Sequence, residues 1–170
     1  MILRPATAAD VPALTALARE SFVDAFGHMY SPEDLSAFLS EYKSPAAVVA
    51  QVDDCDGALQ LAEADGALLA FCKLSFSVSW PEHARGNRVG ELKHLYAASS
   101  ATGTGVGTAL MDWAMGEFAV RGCDEVQLSV WSGNHGAQRF YARYGFEKVA
   151  DVTFRVGEQI DEEYLFAKLL

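Results

Sequence analysis

The sequence predicts a single α/β domain spanning residues 1–170, with a mixed sheet of six to seven strands flanked by about four helices. Three observations predict it. Apolar residues recur at helical spacing through the first 52 residues and then change to strand-like runs. Strands soon after that change are joined by a hairpin signal, whereas later ones are separated by helices, so antiparallel and parallel neighbours must share one sheet. A chain of 170 residues that is 51% apolar can build one full core without disulfide or metal staples, and no repeat, low-complexity segment or linker divides it. A doubly wound dinucleotide fold fits poorly, because hairpin-joined strands dominate the first half.

The elements follow in order. Residues 2–4 form a first strand. Asp10 is placed as an N-cap with Pro12 behind it, and Leu14, Leu17, Ala18, Phe22 and Phe26 then recur at helical spacing until Gly27. Ser31-Pro32-Glu33-Asp34 starts a second helix: a cap, a proline in the first turn, then acids. Ser44-Pro45 restarts a third piece to about Val52. Residues 59–63 alternate, Asp65-Gly66 signals a hairpin, and residues 68–76 answer it. A polar loop of residues 80–87 precedes a strand over 91–97. A glycine-rich loop leads into a helix over 107–121, followed by a strand over 125–131 and a helix over 134–144 closed by Gly145. Residues 148–156 and 164–169 are the last two strands.

Composition excludes several classes of function. Asp plus Glu number 23 against 13 Lys plus Arg, a formal net charge of −10. That surface opposes nucleic-acid binding, which needs cations to displace counterions from phosphates, and opposes a polybasic membrane anchor. It suits a cationic small substrate or plain solubility. Three cysteines, Cys55, Cys72 and Cys123, are an odd number without paired spacing, so neither a disulfide framework nor a metal site is expected. The chain opens without a stretch apolar enough for a signal peptide, and the cytoplasm is the expected location.

Residues 101–110 read ATGTGVGTAL, placing Gly103, Gly105 and Gly107 between a strand and a helix. Glycines there allow a tight turn and bring successive N–H groups, with the positive end of the helix, toward an anion such as a pyrophosphate. The same glycines would also serve a simple strand-to-helix turn. No Gly-Lys-Ser/Thr is present, so this is not a triphosphate P-loop, and the spacing is not that of the dinucleotide fingerprint.

The stretch Thr102-Gly103-Thr104-Gly105-Val106-Gly107 followed by Ala109-Leu110 resembles the acetyl-CoA loop of the GNAT N-acetyltransferase family, Gln/Arg-x-x-Gly-x-Gly/Ala. Gly105 and Gly107 match, and Thr102 stands where the family has Gln or Arg. A second block begins 29 residues after Gly105: Asn134-x-x-Ala137-x-x-Phe140-Tyr141-x-x-Tyr144-Gly145-Phe146, similar to the family's later motif. Arg4-Pro5-Ala6-Thr7 resembles the family's opening. Residues 91–96, Glu-Leu-Lys-His-Leu-Tyr, resemble a strand of bacterial PaiA-like members of the spermidine/spermine type. The resemblance covers essentially the whole chain.

The resemblance implies acetyl transfer from acetyl-CoA, held in a splay between strands 4 and 5, to a primary amine by direct attack in a ternary complex. No cysteine lies near the motifs in sequence, which disfavours a covalent cysteine intermediate. A small amine or polyamine is the favoured acceptor. The alternatives are a peptide or protein N-terminus or lysine, or a CoA-binding sensor without turnover. Tyr141 would be the general acid at the sulfur. Cofactor contacts would come from Leu95, Tyr96 and Ala97, from Thr102, Gly103, Thr104, Gly105, Val106, Gly107 and Thr108, and from Asn134, Ala137 and Tyr141. Asn134 would also cap its helix. With Thr102 replacing a longer polar residue, more of the pyrophosphate falls to backbone N–H groups, and Arg139 and Arg143 are the nearest cations in sequence.

An amine with a pKa of about 10.4 must lose a proton before it attacks. Glu91 is the candidate base. A strand-end carboxylate paired with Lys93 or Arg88 would explain it equally well. Strict alternation puts Glu91, Lys93 and Leu95 on one face and Leu92, His94 and Tyr96 on the other. His94 is the second candidate base. Phe26, Tyr30 and Glu91 are the expected acceptor contacts, with the loop after Trp80 able to close over them. A homodimer is compatible with this reading.

Overall fold

A computed structural model describes residues 1–170. Seven strands form one sheet in the order β1-β2-β3-β4-β5-β7-β6. They are β1 (Ile2–Pro5), β2 (Gly57–Ala64), β3 (Ala67–Ser75), β4 (Val89–Ala97), β5 (Glu125–Trp131), β6 (Glu147–Val156) and β7 (Gln159–Leu169). The helices are α1 (Val11–Phe26), α2 (Pro32–Tyr42), α3 (Pro45–Val52), α4 (Val106–Val120) and α5 (His135–Arg143). Every neighbouring pair is antiparallel except β4 and β5, which run parallel.

The local signals act largely as expected. The hydroxyls of Ser31 and Ser44 accept from the amides of Asp34 and Ala47, satisfying first-turn donors of α2 and α3. Asp10 behaves differently. Its backbone is already helical and its side chain caps nothing forward. Instead its carboxylate accepts from the Thr7 amide and hydroxyl and pairs with Arg4 at 2.7 Å, tying β1 to the start of α1.

Two apolar layers sandwich the sheet. Val106, Leu110, Met111, Ala114 and Phe118 of α4 pack on one face, and α5 joins them through Ala137, Phe140 and Tyr141. Leu14, Leu17 and Phe22 of α1, with Val48 and Phe38 from α3 and α2, cover the other.

Two departures from regular pairing shape the site. β4 and β5 pair only from Val89↔Glu125 to Glu91↔Gln127, so the strands part beyond Glu91. In addition, Lys73 faces His94 while Leu74 faces Leu92, so Lys93 is an extra, bulged residue. The bulge breaks the expected alternation of faces. Leu92 and Leu95 both pack into the α4 layer, whereas His94 and Tyr96 contact Phe71 in the α1 layer.

The last strand is longer than expected. β6 and β7 form a hairpin whose last pair is Val156↔Gln159, and β7 therefore begins at Gln159, not at Tyr164. The acidic run 159–163 is a strand: Asp161 and Glu163 turn inward while Ile160 and Glu162 stay exposed.

Candidate active site

Two cavities lie beside the parting of β4 and β5, back to back against shared lining residues. The narrower, about 250 Å³, is mostly apolar and runs past Ala70, Leu95, Ala97, Gly107, Gly136, Ala137 and Phe140. The wider, about 510 Å³, lies on the α1 face between Phe22, Phe26 and Tyr30, the 91–96 stretch of β4, Ser129–Trp131 of β5, and Asp161 and Glu163 of β7. Leu95, Tyr96, Ala137 and Tyr141 line both.

The glycine loop stands at the mouth of the narrow cavity. Gly103 (φ 80°) and Gly105 (φ 90°) take left-handed conformations that open onto space no other atom fills. The amides of Gly103, Gly105, Val106, Gly107 and Thr108 have no acceptor within the protein, since Thr102 and Thr104 donate to the short turn before the loop and the next bond runs from Ala109 to Gly105. Five free N–H groups at a helix N-terminus make a site for a polyanion. The hydroxyls of Thr102 and Thr104 are turned back to the carbonyls of Ala98 and Ala101, so they shape the loop and leave the anion to the amides.

The strand edge supplies further donors. The bond from Ala98 N to Leu69 O fixes the phase of the β3–β4 ladder. In that phase Tyr96 bonds to β3, while Leu95 and Ala97 direct their N–H and C=O groups away from β3, toward the gap where β5 no longer pairs. These unpaired groups can hold the amides of a pantetheine arm.

Asn134 accepts from the Ala137 amide at 3.0 Å and so caps α5, while its side chain also lines the wider cavity. The cap directs α5 so that Tyr141 reaches the junction. The Tyr141 hydroxyl takes no hydrogen bond from the protein, and burial pushes its pKa up, so the phenol keeps its proton. Cys72, distant in sequence, lies next to Tyr141 in space. It is fully buried, and burial drives its thiol pKa up, so it is not a thiolate nucleophile.

The sequence-derived acid and base residues fall around one cavity in unequal states. Glu91 is buried, and both its oxygens are engaged: one accepts from the Ser79 amide at 2.7 Å and lies 3.4 Å from the Lys93 ammonium, the other accepts from the Ser79 hydroxyl at 3.1 Å. It pins the start of the loop before β4. Asp124 and Glu125 pin the other end, accepting from the amides of residues 85–88. The loop is thus fastened to the sheet, and only Ser79 and Trp80 of the segment reach the cavity wall. His94 is held neutral: burial, then the nearby Lys43, Lys93 and Lys73, depress its pKa well below the usual 6.5. Phe26 and Tyr30 do line the cavity, and the Tyr30 hydroxyl donates to Asp161.

Two residues of the cavity escaped sequence reasoning. Glu163 is largely buried, its Oε2 has no partner, and burial raises its pKa against the opposing pull of the Ser129 hydroxyl. Lys43, just after α2, points its side chain into the same space. Nothing in the sequence singles out either residue: 159–163 reads Gln-Ile-Asp-Glu-Glu, without polar–apolar alternation, and Lys43 follows an ordinary helix end.

Comparison with known proteins settles the family. The model of the acetyltransferase (GNAT) family matches residues 14–146. The chain belongs to the GNAT acetyltransferase family. It is 31% identical over 162 residues to an uncharacterised N-acetyltransferase of Mycobacterium tuberculosis, covering 95% of this chain and 98% of the relative. An uncharacterised N-acetyltransferase of Lactobacillus delbrueckii is 26% identical over 161 residues, covering 95% and 92%. Among solved structures, the PaiA N-acetyltransferase of Thermoplasma acidophilum in complex with coenzyme A superposes with a TM-score of 0.81 at 22% identity, covering 99% and 98% of the two chains. This GNAT protein is accordingly an acyltransferase.

Proposed function

We propose that this GNAT enzyme transfers the acetyl group of acetyl-CoA to a primary amine of a small molecule, by direct attack with both substrates bound. The observation that carries the reading is the junction of two separately shaped cavities at Leu95, Tyr96, Ala137 and Tyr141. Two reactants entering from opposite faces would meet there, which converts a bimolecular reaction into a positioned one.

Bound acetyl-CoA supplies an activated acetyl thioester. The free amides from Gly103 to Thr108 would hold its pyrophosphate, and the gap-facing groups of Leu95 and Ala97 its pantetheine. The Leu95 N–H is the donor available to a developing oxyanion. Tyr141 offers a protonated phenol to the departing sulfur. Of the carboxylates, Glu163 has a free buried oxygen and a raised pKa, both suited to taking a proton from an ammonium. Glu91, with both oxygens occupied, would act by holding Ser79 and the cavity wall. Thiol release measured across a panel of primary amines tests the reading. Amine-dependent release supports it, and acetyl-CoA binding without release under any amine counts for a sensor instead.

A further inference from the structure

Five charged residues of this protein are buried: Lys43, Lys73, Glu91, Glu125 and Asp161. Four have partners. Lys73 pairs with Asp54 and bonds the Gln51 carbonyl, Glu91 is held by Ser79 and Lys93, Glu125 by the 85–86 amides, and Asp161 by Tyr30 and Gln159. Lys43 is the exception. It is 3% exposed, no carboxylate lies within 4.0 Å of its ammonium, and the ammonium makes no hydrogen bond. Its only charge-directed neighbours are the rings of Tyr96 and Phe22, with centroids 5.1 and 5.9 Å away. A buried cation with no counter-charge is costly to keep, and the cost shows as a pKa lowered by burial to about 8.

The cost has a use if the counter-charge arrives with a ligand. Lys43 lines the wider cavity from the helix side, against the α1 layer, while Asp161 and Glu163 line it from β7. The remaining charges there are the Glu91–Lys93 pair and Arg155, which is exposed and unpaired. The cavity therefore has an acidic wall and, separately, a desolvated cation, with aromatic rings between. A polyamine would place a second ammonium where Lys43 already stands. A molecule carrying both an ammonium and an anion satisfies both walls.

We infer that Lys43 receives an anionic group of the acceptor, so that the amine acetylated by this enzyme also carries a carboxylate, as an amino acid does. This rests on the amine-acceptor reading above. A hydrogen-bonded ion pair in so desolvated a place favours an acid over its neutral amide by roughly 10- to 100-fold.

Calorimetry with the CoA-saturated protein tests it, using free amino acids with small, aromatic and acidic side chains, their amides, and spermidine. The expected result is binding of one or more amino acids at least about tenfold tighter than the matching amide, loss of that preference in Lys43→Met, and its partial return in Lys43→Arg. The Lys43→Met protein should bind the amides as the unaltered protein does, which shows that its cavity is intact. Amides or spermidine binding as tightly as every acid, a preference that survives Lys43→Met, or no acid binding at millimolar concentration each overturn the inference. Thiol release on the same compounds keeps the two readings apart. Turnover of amines without preference for the carboxylate overturns the role of Lys43 alone. Lys43-dependent binding of acids without any turnover upholds that role and removes the transferase reading.

Discussion

At the scale of single residues, the cavity sets two ionisable groups away from their ordinary states in opposite senses. Glu163 has its pKa raised, so its charged form is disfavoured in the folded protein. If it takes the proton from the amine, kcat/KM falls on the acid side at a pH above that of an ordinary glutamate, and Glu163→Gln lowers kcat/KM by about 100-fold or more. Glu91→Gln, which only loosens the Ser79 contact, should cost less. Lys43 has its pKa lowered, so protonation is disfavoured in the folded state. The penalty is present below about pH 8 and disappears as pH rises toward the unfolded value near 10.5. Lys43→Met should therefore raise the melting temperature at pH 7, by an amount worth on the order of 3 kcal/mol at most, and the gain should shrink by pH 10. A pH series of thermal melts on both proteins reads this directly. Neither residue stood out in the sequence. A lysine after a helix end is ordinary on a surface, and only the packing of Phe22 and Tyr96 around it makes it unusual.

At the scale of elements, the glycine loop and the parted strands each separate a ligand role from a folding role. Gly107 lies within the first turn of α4 at an ordinary helical φ, and a Cβ there would meet nothing. Gly107→Leu should fold as well as the original, or slightly better, since glycine in a helix costs roughly 1 kcal/mol relative to good helix formers. The added side chain would enter the narrow cavity that Gly107 lines. CoA affinity measured by calorimetry should fall by about tenfold or more, a loss of some 1.4 kcal/mol, with an unchanged melting temperature. Gly105→Ala should instead lose stability, by about 1–2 kcal/mol, because its φ is +90°.

The elements themselves were legible because each carried a local mark: Ser31 and Ser44 as caps, Asp65-Gly66 as a turn, and the 3.6-residue period of α1. The site was legible where a motif spelled it, in the loop and in α5. Its other wall was not. A bulge at Lys93 leaves no mark in a strand of mixed polar and apolar residues, yet it decides which residues of β4 face which layer. The start of β7 at Gln159 is not legible in the sequence, because four of the five residues 159–163 are polar or acidic and the one apolar residue, Ile160, faces outward.

At the scale of the whole molecule, a chain of net charge −10 must bind a polyanionic cosubstrate. In the proposed reading that binding falls to the uncharged, unpaired amides at the N-terminus of α4, with acids concentrated elsewhere, including Asp161 and Glu163 on the wall of the wider cavity. The overall field repels the cosubstrate and no buried cation at the loop draws it in. Added salt should then leave the KM for acetyl-CoA unchanged or lower it, the reverse of binding through surface lysines. A KM that rises steadily with salt would point to Arg139 and Arg143, both exposed on α5, as the main contacts.

If chemistry occurs where the two cavities meet, the Tyr141 hydroxyl stands at the reacting atoms. The most direct measurement is amine-dependent thiol release from acetyl-CoA by the unaltered enzyme and by Tyr141→Phe. A phenylalanine fills the same space and removes only the hydroxyl. The expected result is amine-dependent turnover that falls in Tyr141→Phe by about 10²-fold or more in kcat, with CoA binding unchanged by calorimetry. Turnover by Tyr141→Phe equal to that of the unaltered enzyme at all pH values would contradict it.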